Sequence, residues 1–341
     1  MHVPDGFLNA PTSVATGAAA AAGVAIALRK ARDEMDERQA PLAGLAATFI
    51  FATQMINFPV GAGTSGHFIG GALAAVLVGP WTAILVMSVV LLLQSLLFAD
   101  GGLTALGTNI SLLGLAAVAS GWLITRAVLA VLPRRQASVV PAAAIGAALS
   151  VPIAAVVFVL LFAAGGSAAL PFGTLLASMI GVHVLIGIGE AVITGLTVSA
   201  VLAVRPDLVY AARGLRAPLA LKQADGTVVA PDAEAGQTTR VSTRALLIGG
   251  ALVTAIVAGA VSFFASSSPD GLESVAETEG FAEAAREHTF GGFALADYGE
   301  VGGIPVGLAG LLGAAAVLVV GLVLFRLVRQ RGDSVDATPP P

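Results

Sequence analysis

Long apolar runs, broken by short polar segments, dominate the pattern along the 341-residue chain. Nine runs are visible, at about residues 11–28, 41–57, 66–79, 81–98, 107–125, 138–164, 173–203, 245–265 and 304–327. Within each run the apolar residues are continuous and do not alternate with polar ones, which favours membrane-crossing helices over the strands of a membrane barrel. The third run is short for a helix that needs about 20 residues, so we expect it to be buried among its neighbours. The pattern predicts an all-α integral membrane protein.

The basic residues predict the orientation of these spans. With the amino terminus outside, 16 of the 17 Lys and Arg residues fall in inside segments, and only Arg286 falls outside. Inside loops of membrane proteins carry the excess of Lys and Arg. We therefore predict that the amino terminus lies outside and the carboxyl terminus is cytoplasmic. Because no Lys or Arg precedes the first apolar run, the start of the chain does not read as a signal peptide.

Polar segments divide the chain into modules. The predicted parts are a seven-span module (1–204), a cytoplasmic linker (205–243), a two-span hairpin around an acidic outside loop (244–327) and a disordered tail (328–341). Pro4-Asp5-Gly6 near the start recurs as Pro269-Asp270-Gly271 in the hairpin. Alone, this repeat is a turn signal.

Composition excludes several kinds of chemistry. Hydrophobic residues make up 57% and charged residues 11% of the chain, whereas soluble domains carry about 25% charged residues. The net charge of −4 gives no reason to expect a nucleic-acid partner, and the absence of cysteine excludes disulfides and thiolate ligands. The chain has no H-E-x-x-H, P-loop or G-x-S-x-G motif. We therefore do not expect an enzyme, and active transport would need energy from another polypeptide or an ion gradient.

The chain has only four histidines, His2, His67, His183 and His288. The Met1 amine, the deprotonated backbone nitrogen of His2 and the His2 imidazole can bind one metal ion through fused chelate rings. In the predicted orientation His67 lies on the same side of the membrane and could supply a fourth nitrogen. Square-planar nitrogen ligation suits Ni(II) or Cu(II), with Co(II) as a relative. The alternative is that His2 is a frayed terminal residue and His67 a polar residue at a helix end.

Two further polar residues lie within the seventh span. His183 and Glu190 are seven residues apart and share one helix face. An ionisable residue in a membrane needs a partner, since its burial costs at least ~2.5 kcal/mol. One interpretation is an ion path or proton relay, and the other is a polar lock between helices, for example with Asn57, Gln94 or Asn109.

Two rival functions use the same residues. One is an intramembrane enzyme that uses His183 and Glu190, and the other is a stand-alone secondary transporter with Glu190 as its proton site. Glu190 lies about 17 residues into its span, or roughly 25 Å, so we expect it to be too deep to reach a metal site at the outer surface. His288 belongs to the acidic outside loop, which either gathers cations or is simply a solvated face.

Several stretches of the sequence resemble a known family. They are the start MHVPDGFL and the segments GTSGHFIGG and LLLQSLLFADGGLTALGTNISLLG, and GVHVLIGIGEAVIT also fits. These closely resemble the substrate-capture (S) component of energy-coupling-factor cobalt/nickel importers, the CbiM/NikM family. The segment SPDGLES, after a membrane span, resembles the small PDGLE accessory subunit related to CbiN/NikN. The chain thus looks like a fusion of the two subunits.

The resemblance implies a site and a cargo. It implies a seven-helix bundle with an extracytoplasmic amino terminus, plus a carboxyl-terminal two-helix hairpin. It also implies metal ligation by the Met1 amine, the His2 backbone nitrogen, the His2 imidazole and the His67 imidazole. The ligand would be transported Co²⁺ or Ni²⁺, with no permanent cofactor, and the residues do not choose between these metals. No ligand role is carried over to His183, Glu190 or His288.

The resemblance also implies partners and a location. The partners would be a transmembrane coupling (T) protein, two cytoplasmic ATPase subunits and membrane lipid. The protein would lie in the bacterial cell membrane as a multi-pass permease subunit, and supply cobalamin synthesis or nickel enzymes. We expect the accessory hairpin to help load the metal by contacting the amino-terminal loop.

Overall fold

The computed structural model describes residues 1–35, 39–61, 63–215, 221–222, 228–229, 241–296 and 303–336. Its first module contains the helices α1 (Ala10–Lys30), α2 (Gln39–Gln54), α3 (Gly71–Val78), α4 (Pro80–Phe98), α5 (Leu106–Asn109), α6 (Ala117–Val131), α7 (Val139–Gly165) and α8 (Phe172–Val204). A π-helical stretch, Ile110–Ala116, joins α5 and α6 into one continuous helix. The second module contains α9 (Thr243–Gly259), α10 (Gly271–Glu279) and α11 (Val306–Asp336). Counting α5 and α6 as one, the described part of the first module has the seven predicted helices.

Short strands and 3₁₀ turns lie between the helices. Strand β1 (Phe58–Gly61) pairs with β2 (Thr64–Gly66) in an antiparallel hairpin, and β3 (Leu221–Lys222) pairs with β4 (Val228–Val229). The 3₁₀ turns are Ala31–Asp33, Gln136–Ser138, Pro206–Leu208, Tyr210–Ala212, Val261–Phe264 and Ala282–Ala284.

Seven helical segments in the described part of the chain are long and apolar enough to cross a membrane. They are Ala10–Asp33, Pro80–Phe98, Leu106–Val131, Gln136–Gly165, Phe172–Val204, Thr243–Phe264 and Val306–Gln330. These segments confirm the prediction of a multi-pass helical membrane protein. The orientation of its termini stays a prediction.

Two of the nine predicted spans differ from the structure. The runs at 41–57 and 66–79 form α2, with 16 residues, and α3, with 8, and both are too short to cross a bilayer alone. The reason is that the chain between them folds into the β1–β2 hairpin and a segment without regular secondary structure, residues 67–70, so its apolar residues do not lengthen either helix. Every residue of α3 is buried, as expected for a short helix among its neighbours.

The third and fourth predicted spans, which end at residue 79 and begin at residue 81, are separated in the structure by a break at Gly79 and Pro80. Gly79 has φ of +96°, a conformation that favours glycine, and Pro80 begins α4. The carboxylate of Glu34 accepts hydrogen bonds from the backbone N–H groups of Trp81 (3.1 Å) and Thr82 (2.7 Å). These donors are two of the unpaired N–H groups at the start of α4, so Glu34 completes the helix end.

The second module packs directly against the first. Gly313 of α11 faces the rings of Phe51 in α2 and Phe98 in α4, and a Cβ atom at this position would lie 2.6 Å from Phe98 Cζ. The two rings lie 5.3 Å apart between their centroids. The glycine therefore allows α11 to approach both aromatic side chains, so the second module packs closely against the first.

The linker and tail differ in part from the sequence-based boundaries. Residues 205–215 pack on the bundle, because Val209 is buried and the ring of Tyr210 lies 5.5 Å from that of Trp122 in α6. Helix α11 continues to Asp336, beyond the predicted tail start at residue 328. The rest of the predicted linker, apart from β3, β4 and residues 241–243, and residues 337–341 of the tail lie outside the described residues. The predicted domain boundaries otherwise stay a prediction.

Candidate metal centre

The amino-terminal segment is buried inside the protein. Met1 is 2% exposed and Val3 is fully buried. The backbone N–H of Val3 donates to Asn109 Oδ1 at 2.8 Å, and the Val3 carbonyl accepts from Asn109 Nδ2 at 3.1 Å and from Gly102 N at 2.9 Å. The first residues are thus fixed by the connection between α4 and α5, which excludes a frayed terminus.

Asp5 of the Pro-Asp-Gly sequence makes further hydrogen bonds that hold the amino-terminal segment in place. Its carboxylate accepts hydrogen bonds from the backbone N–H groups of Leu103 (3.1 Å), Thr104 (2.8 Å) and Ala105 (3.2 Å). Its own carbonyl accepts from the backbone N–H of Arg286 in the second module at 2.8 Å. Several charge-assisted hydrogen bonds therefore hold the turn after His2 in one position.

Glu190 positions the loop that carries His67. Its two carboxylate oxygens accept hydrogen bonds from the backbone N–H groups of Ile69 (2.7 Å) and Gly70 (2.8 Å). The side-chain amide of Gln54 donates to the Ile69 carbonyl at 2.7 Å. A buried carboxylate that accepts two backbone hydrogen bonds satisfies donors that a non-helical segment would otherwise leave unpaired.

The Met1 amine and the His67 imidazole are in contact. The Met1 nitrogen lies against His67 Nε2, and the His2 ring stacks on the His67 ring at 4.8 Å between centroids. His67 Nδ1 lies 3.1 Å from the Phe68 carbonyl, which can only accept, so Nδ1 carries the hydrogen and Nε2 presents its lone pair to the amine. The structure therefore brings together Met1, His2 and His67, the three residues that the sequence singled out.

The His2 ring is held by a carboxylate. Its Nδ1 lies 2.6 Å from Asp100 Oδ1, while its Nε2 is buried and has no hydrogen-bond partner among the described residues. In the chelate, the Met1 amine and the His2 backbone nitrogen would close a five-membered ring with the metal, and the His2 backbone nitrogen and Nδ1 would close a six-membered one. Nδ1 must therefore leave Asp100 before it can complete that chelate.

Asp270, from the second module, completes the cluster. Its Oδ2 accepts a hydrogen bond from the Met1 ammonium at 2.7 Å and lies 3.5 Å from His67 Nε2. Asp270 was not among the site residues predicted from the sequence, although it belongs to the repeated Pro-Asp-Gly. That repeat was the available signal, since Asp5 and Asp270 both end up beside the amino-terminal segment.

Electrostatics favour the neutral form of the His67 imidazole, which is the form that binds a metal. Burial lowers the pKa of His67, and the nearby terminal ammonium lowers it further, against the opposing effect of Asp270. Burial alone would raise the pKa of Asp270, but the terminal ammonium beside its carboxylate holds it well below its ordinary value. Near neutral pH the structure thus pairs a neutral His67 with an ionised Asp270.

A polar cavity of about 150 Å³ lies beside the cluster. Side chains from both modules line it, among them His2, Gln54, His67, Gln94, Asp100 and Asp270. Within the described ranges, no group of three or more His, Asp or Glu side chains is arranged to hold a metal ion. The candidate site instead combines two imidazoles with two main-chain nitrogens.

Glu190 lies nearer to the cluster than the sequence suggested, since its carboxylate binds the loop that carries His67. Gly271, next to Asp270, packs on α8, where a Cβ atom would lie 2.7 Å from Ile186 Cδ1 and 3.2 Å from His183 Cε1. The cluster therefore lies beside the middle of α8, because the His67 loop and α10 both reach into the bundle. Glu190 fits the polar-lock interpretation, but its partners are backbone N–H groups and not the side chains of Asn57, Gln94 or Asn109.

The other two histidines lie outside this cluster. His183 Nδ1 lies 2.8 Å from the Met179 carbonyl of its own helix, and its Nε2 is buried without a partner in the described part of the chain. His288 Nδ1 accepts a hydrogen bond from the backbone N–H of Phe290 at 3.0 Å, which is a contact within its own loop.

Comparison with known proteins identifies the family. Residues 2–208 match the family CbiM, described as the cobalt uptake substrate-specific transmembrane region. The chain belongs to the CbiM family. Residues 244–330 match the PDGLE domain, so the chain is a CbiM-family protein fused to a PDGLE module. It is a multi-pass membrane protein of metal transport, as the resemblance implied.

Individual relatives agree with this membership. A Haloquadratum walsbyi protein assigned to metal transport is 36% identical over 210 residues, which cover 62% of this chain and 94% of the relative. The fused nickel transport protein NikMN of Rhodobacter capsulatus is 42% identical over 109 residues, or 32% of this chain and 31% of that protein. The crystal structure of a truncated transition metal transporter has 31% identity and a TM-score of 0.53, with 60% of this chain and 99% of that chain covered.

Proposed function

We propose that this CbiM-family chain captures Co²⁺ or Ni²⁺ outside the cell and passes it inward as a subunit of an ATP-driven energy-coupling-factor importer. The observation that carries the proposal is the contact between the Met1 amine and His67 Nε2, with the His2 ring stacked beside them. Nitrogen donors from the chain terminus and from a loop 66 residues away are already collected in one buried place.

The ligands in this proposal are four nitrogens. The Met1 amine, the His2 backbone nitrogen and His2 Nδ1 form two fused chelate rings, and His67 Nε2 is the fourth donor. Four nitrogens in a plane suit Ni²⁺, and Co²⁺ accepts the same donor types. Binding displaces protons from the amine and from the backbone nitrogen, and it removes His2 Nδ1 from Asp100.

The energy for import comes from partners in this proposal. The chain contains no P-loop, so we propose that it acts with a transmembrane coupling protein and two cytoplasmic ATPase subunits. ATP hydrolysis in these subunits drives reorientation of the capture module, and the metal is then released inward. The imported metal would supply cobalamin synthesis or nickel enzymes.

The rival proposal of a proton-coupled secondary transporter relies on Glu190. Both oxygens of that carboxylate accept backbone hydrogen bonds, and these contacts hold the His67 loop. Protonation of Glu190 would place a hydrogen where one of these donors now binds. The geometry thus favours a positioning role over proton transport.

Metal uptake tests the proposed energy source. Cells would produce the chain alone, the chain with the coupling protein and both ATPases, or the same complex with the P-loop lysines of the ATPases replaced. We expect radioactive nickel or cobalt to accumulate only with intact ATPases. Equal uptake by the chain alone, abolished by a protonophore, would contradict ATP-driven import and favour the secondary transporter.

Calorimetric titration with each metal decides between cobalt and nickel.

A further inference from the structure

The two carboxylate oxygens of Asp270 make different contacts. Oδ1 accepts hydrogen bonds from the backbone N–H groups of Leu272 (2.7 Å) and Glu273 (2.9 Å) at the start of α10. The Glu273 carboxylate in turn accepts from the backbone N–H of Asp270 at 2.9 Å, which completes a capping box. The helix start therefore fixes the orientation of the carboxylate, and Oδ2 is left to bind the Met1 ammonium.

The start of α10 is in turn fixed to the strand that leads to His67. The backbone N–H of Ser65 donates to the Pro269 carbonyl at 2.9 Å, and its hydroxyl donates to the Ser268 carbonyl at 2.7 Å. The hydroxyl of Thr64 lies 2.7 Å from that of Ser274. Asp270 is thus held relative to His67 by backbone and side-chain contacts, independently of the terminal residue.

These contacts give the terminal amine a defined place. A chain terminus that nothing binds moves freely, and its ordering costs conformational entropy at the moment of binding. The hydrogen bond to Oδ2 orders the terminal amine before the metal binds, so less conformational entropy is lost on binding. It also holds the Met1 nitrogen against His67 Nε2.

The contact also suits the metal-loaded state. A primary amine that gives its lone pair to a metal keeps two N–H bonds, and one of them can continue to donate to Oδ2. Carboxylates that accept from a ligand's remaining N–H orient the ligand and strengthen it as a donor, as they do for metal-bound histidine.

We propose that Asp270 is a positioning residue through which the PDGLE module orients the Met1 amine for metal capture. This role rests on the proposed function above. It assigns the accessory module a direct part in metal affinity: the module completes the support around the terminal chelate without itself binding the metal.

Matched variants of the full-length chain test the proposal. Asp270→Asn keeps an oxygen for the helix cap, since Asn caps about as well as Asp, but it places an amide donor towards the amine. Asp270→Ser also caps α10 and has no group at the Oδ2 position, so it serves if the Asn variant does not fold. The control is Glu273→Gln, which removes one negative charge at the same helix end and keeps the capping box.

Nickel affinity and the ligand-field spectrum of bound Ni²⁺ are measured for each folded variant. We expect Asp270→Asn and Asp270→Ser to weaken nickel binding at least about tenfold with an unchanged spectrum, and Glu273→Gln to stay within about threefold of the unaltered chain. An altered spectrum would show that Asp270 is itself a ligand, and equal losses in all three variants would show a general effect of negative charge. Either result, or unchanged affinity in the Asp270 variants, would overturn the positioning role.

His67→Ala separates this proposal from the proposed function. If His67→Ala loses nickel binding while the Asp270 variants bind normally, only the role of Asp270 is wrong. If His67→Ala binds nickel as well as the unaltered chain, the nitrogen site itself is wrong.

Discussion

Glu190 accepts a hydrogen bond of 2.8 Å from the backbone N–H of Gly70, three residues after His67. The contact joins the middle of a membrane-spanning helix to the loop that presents a proposed metal ligand. A buried carboxylate is costly within a membrane, and here it satisfies two backbone donors that no helix or sheet would otherwise pair. Glu190 therefore stabilises the bundle and fixes the position of His67 at the same time.

Replacement of Glu190 by glutamine tests this relationship. The amide keeps one acceptor and turns the other into a donor that faces an N–H group, so we expect a loss of about 1–3 kcal/mol in stability. Because the His67 loop shifts, nickel affinity should fall roughly tenfold. Thr194→Val is the control, since this hydroxyl is buried nearby on the same helix without a hydrogen-bond partner in the described part of the chain. Normal affinity in a folded Glu190→Gln protein would show that the loop keeps its shape unaided.

His67→Ala should abolish high-affinity metal binding and leave a folded protein in the membrane. The side chain supplies the one imidazole that contacts the terminal amine. His288→Ala removes an imidazole from the second module's loop and should bind metal normally. The measurement is bound nickel per protein after purification, with thermal unfolding as the check on folding. Wild-type metal content in a folded His67→Ala protein would exclude His67 as a ligand.

Metal affinity should rise with pH. Bound metal competes with protons for nitrogen, so affinity falls as pH falls. Burial and the terminal ammonium lower the pKa of His67 from its ordinary value near 6.5, so a proton competes for His67 only below that pH. Affinity should still rise between pH 6.5 and 8.5, because chelation releases protons from nitrogen, and below pH 6.5 protonation of His67 should make the dependence steeper. Affinity that does not change between pH 6.5 and 8.5 would indicate carboxylate ligands instead.

Removal of residues 244–341 should weaken metal capture more than it disturbs the first seven helices. Residues 1–243 contain all four proposed nitrogens, whereas the deleted part contains Asp270. Lipid can cover the face that α11 leaves, so the bundle should remain folded. Nickel uptake and affinity are compared for residues 1–243 alone and with residues 244–341 supplied as a second chain, which should restore both. Full uptake by residues 1–243 alone would contradict an accessory role.

The sequence allowed part of this fold and site to be predicted. Continuous apolar runs identified the membrane helices, and the pair of His2 with the free Met1 amine indicated a chelate before any geometry was known. Asp270 could not be found in this way, because 269 residues separate it from Met1 and only tertiary packing brings them together. The partners of Glu190 could not be predicted either. They are backbone N–H groups, which every residue except proline has, so no residue type in the sequence marks them.

The two short helices show a different limit. The sequence of residues 66–70 predicts the start of an apolar span, but these residues follow the β1–β2 hairpin and form a non-helical segment within the bundle. Hydropathy reports that such a segment is buried. It does not report whether the burial takes place in lipid or among helices.

The proposed metal site depends above all on the free amine of Met1, and a paired extension of the chain tests that dependence. A short peptide added before Met1 turns the amine into an amide, which removes a basic donor and one chelate ring while both histidines remain. The same peptide added after Pro341 leaves the terminus free. Mass spectrometry first confirms that Met1 is retained in the unextended chain, as expected with a bulky second residue. Bound nickel is then measured in both folded proteins. We predict normal nickel content with the carboxyl-terminal peptide and almost none with the amino-terminal one. Equal nickel content in the two proteins would exclude the Met1 amine as a ligand.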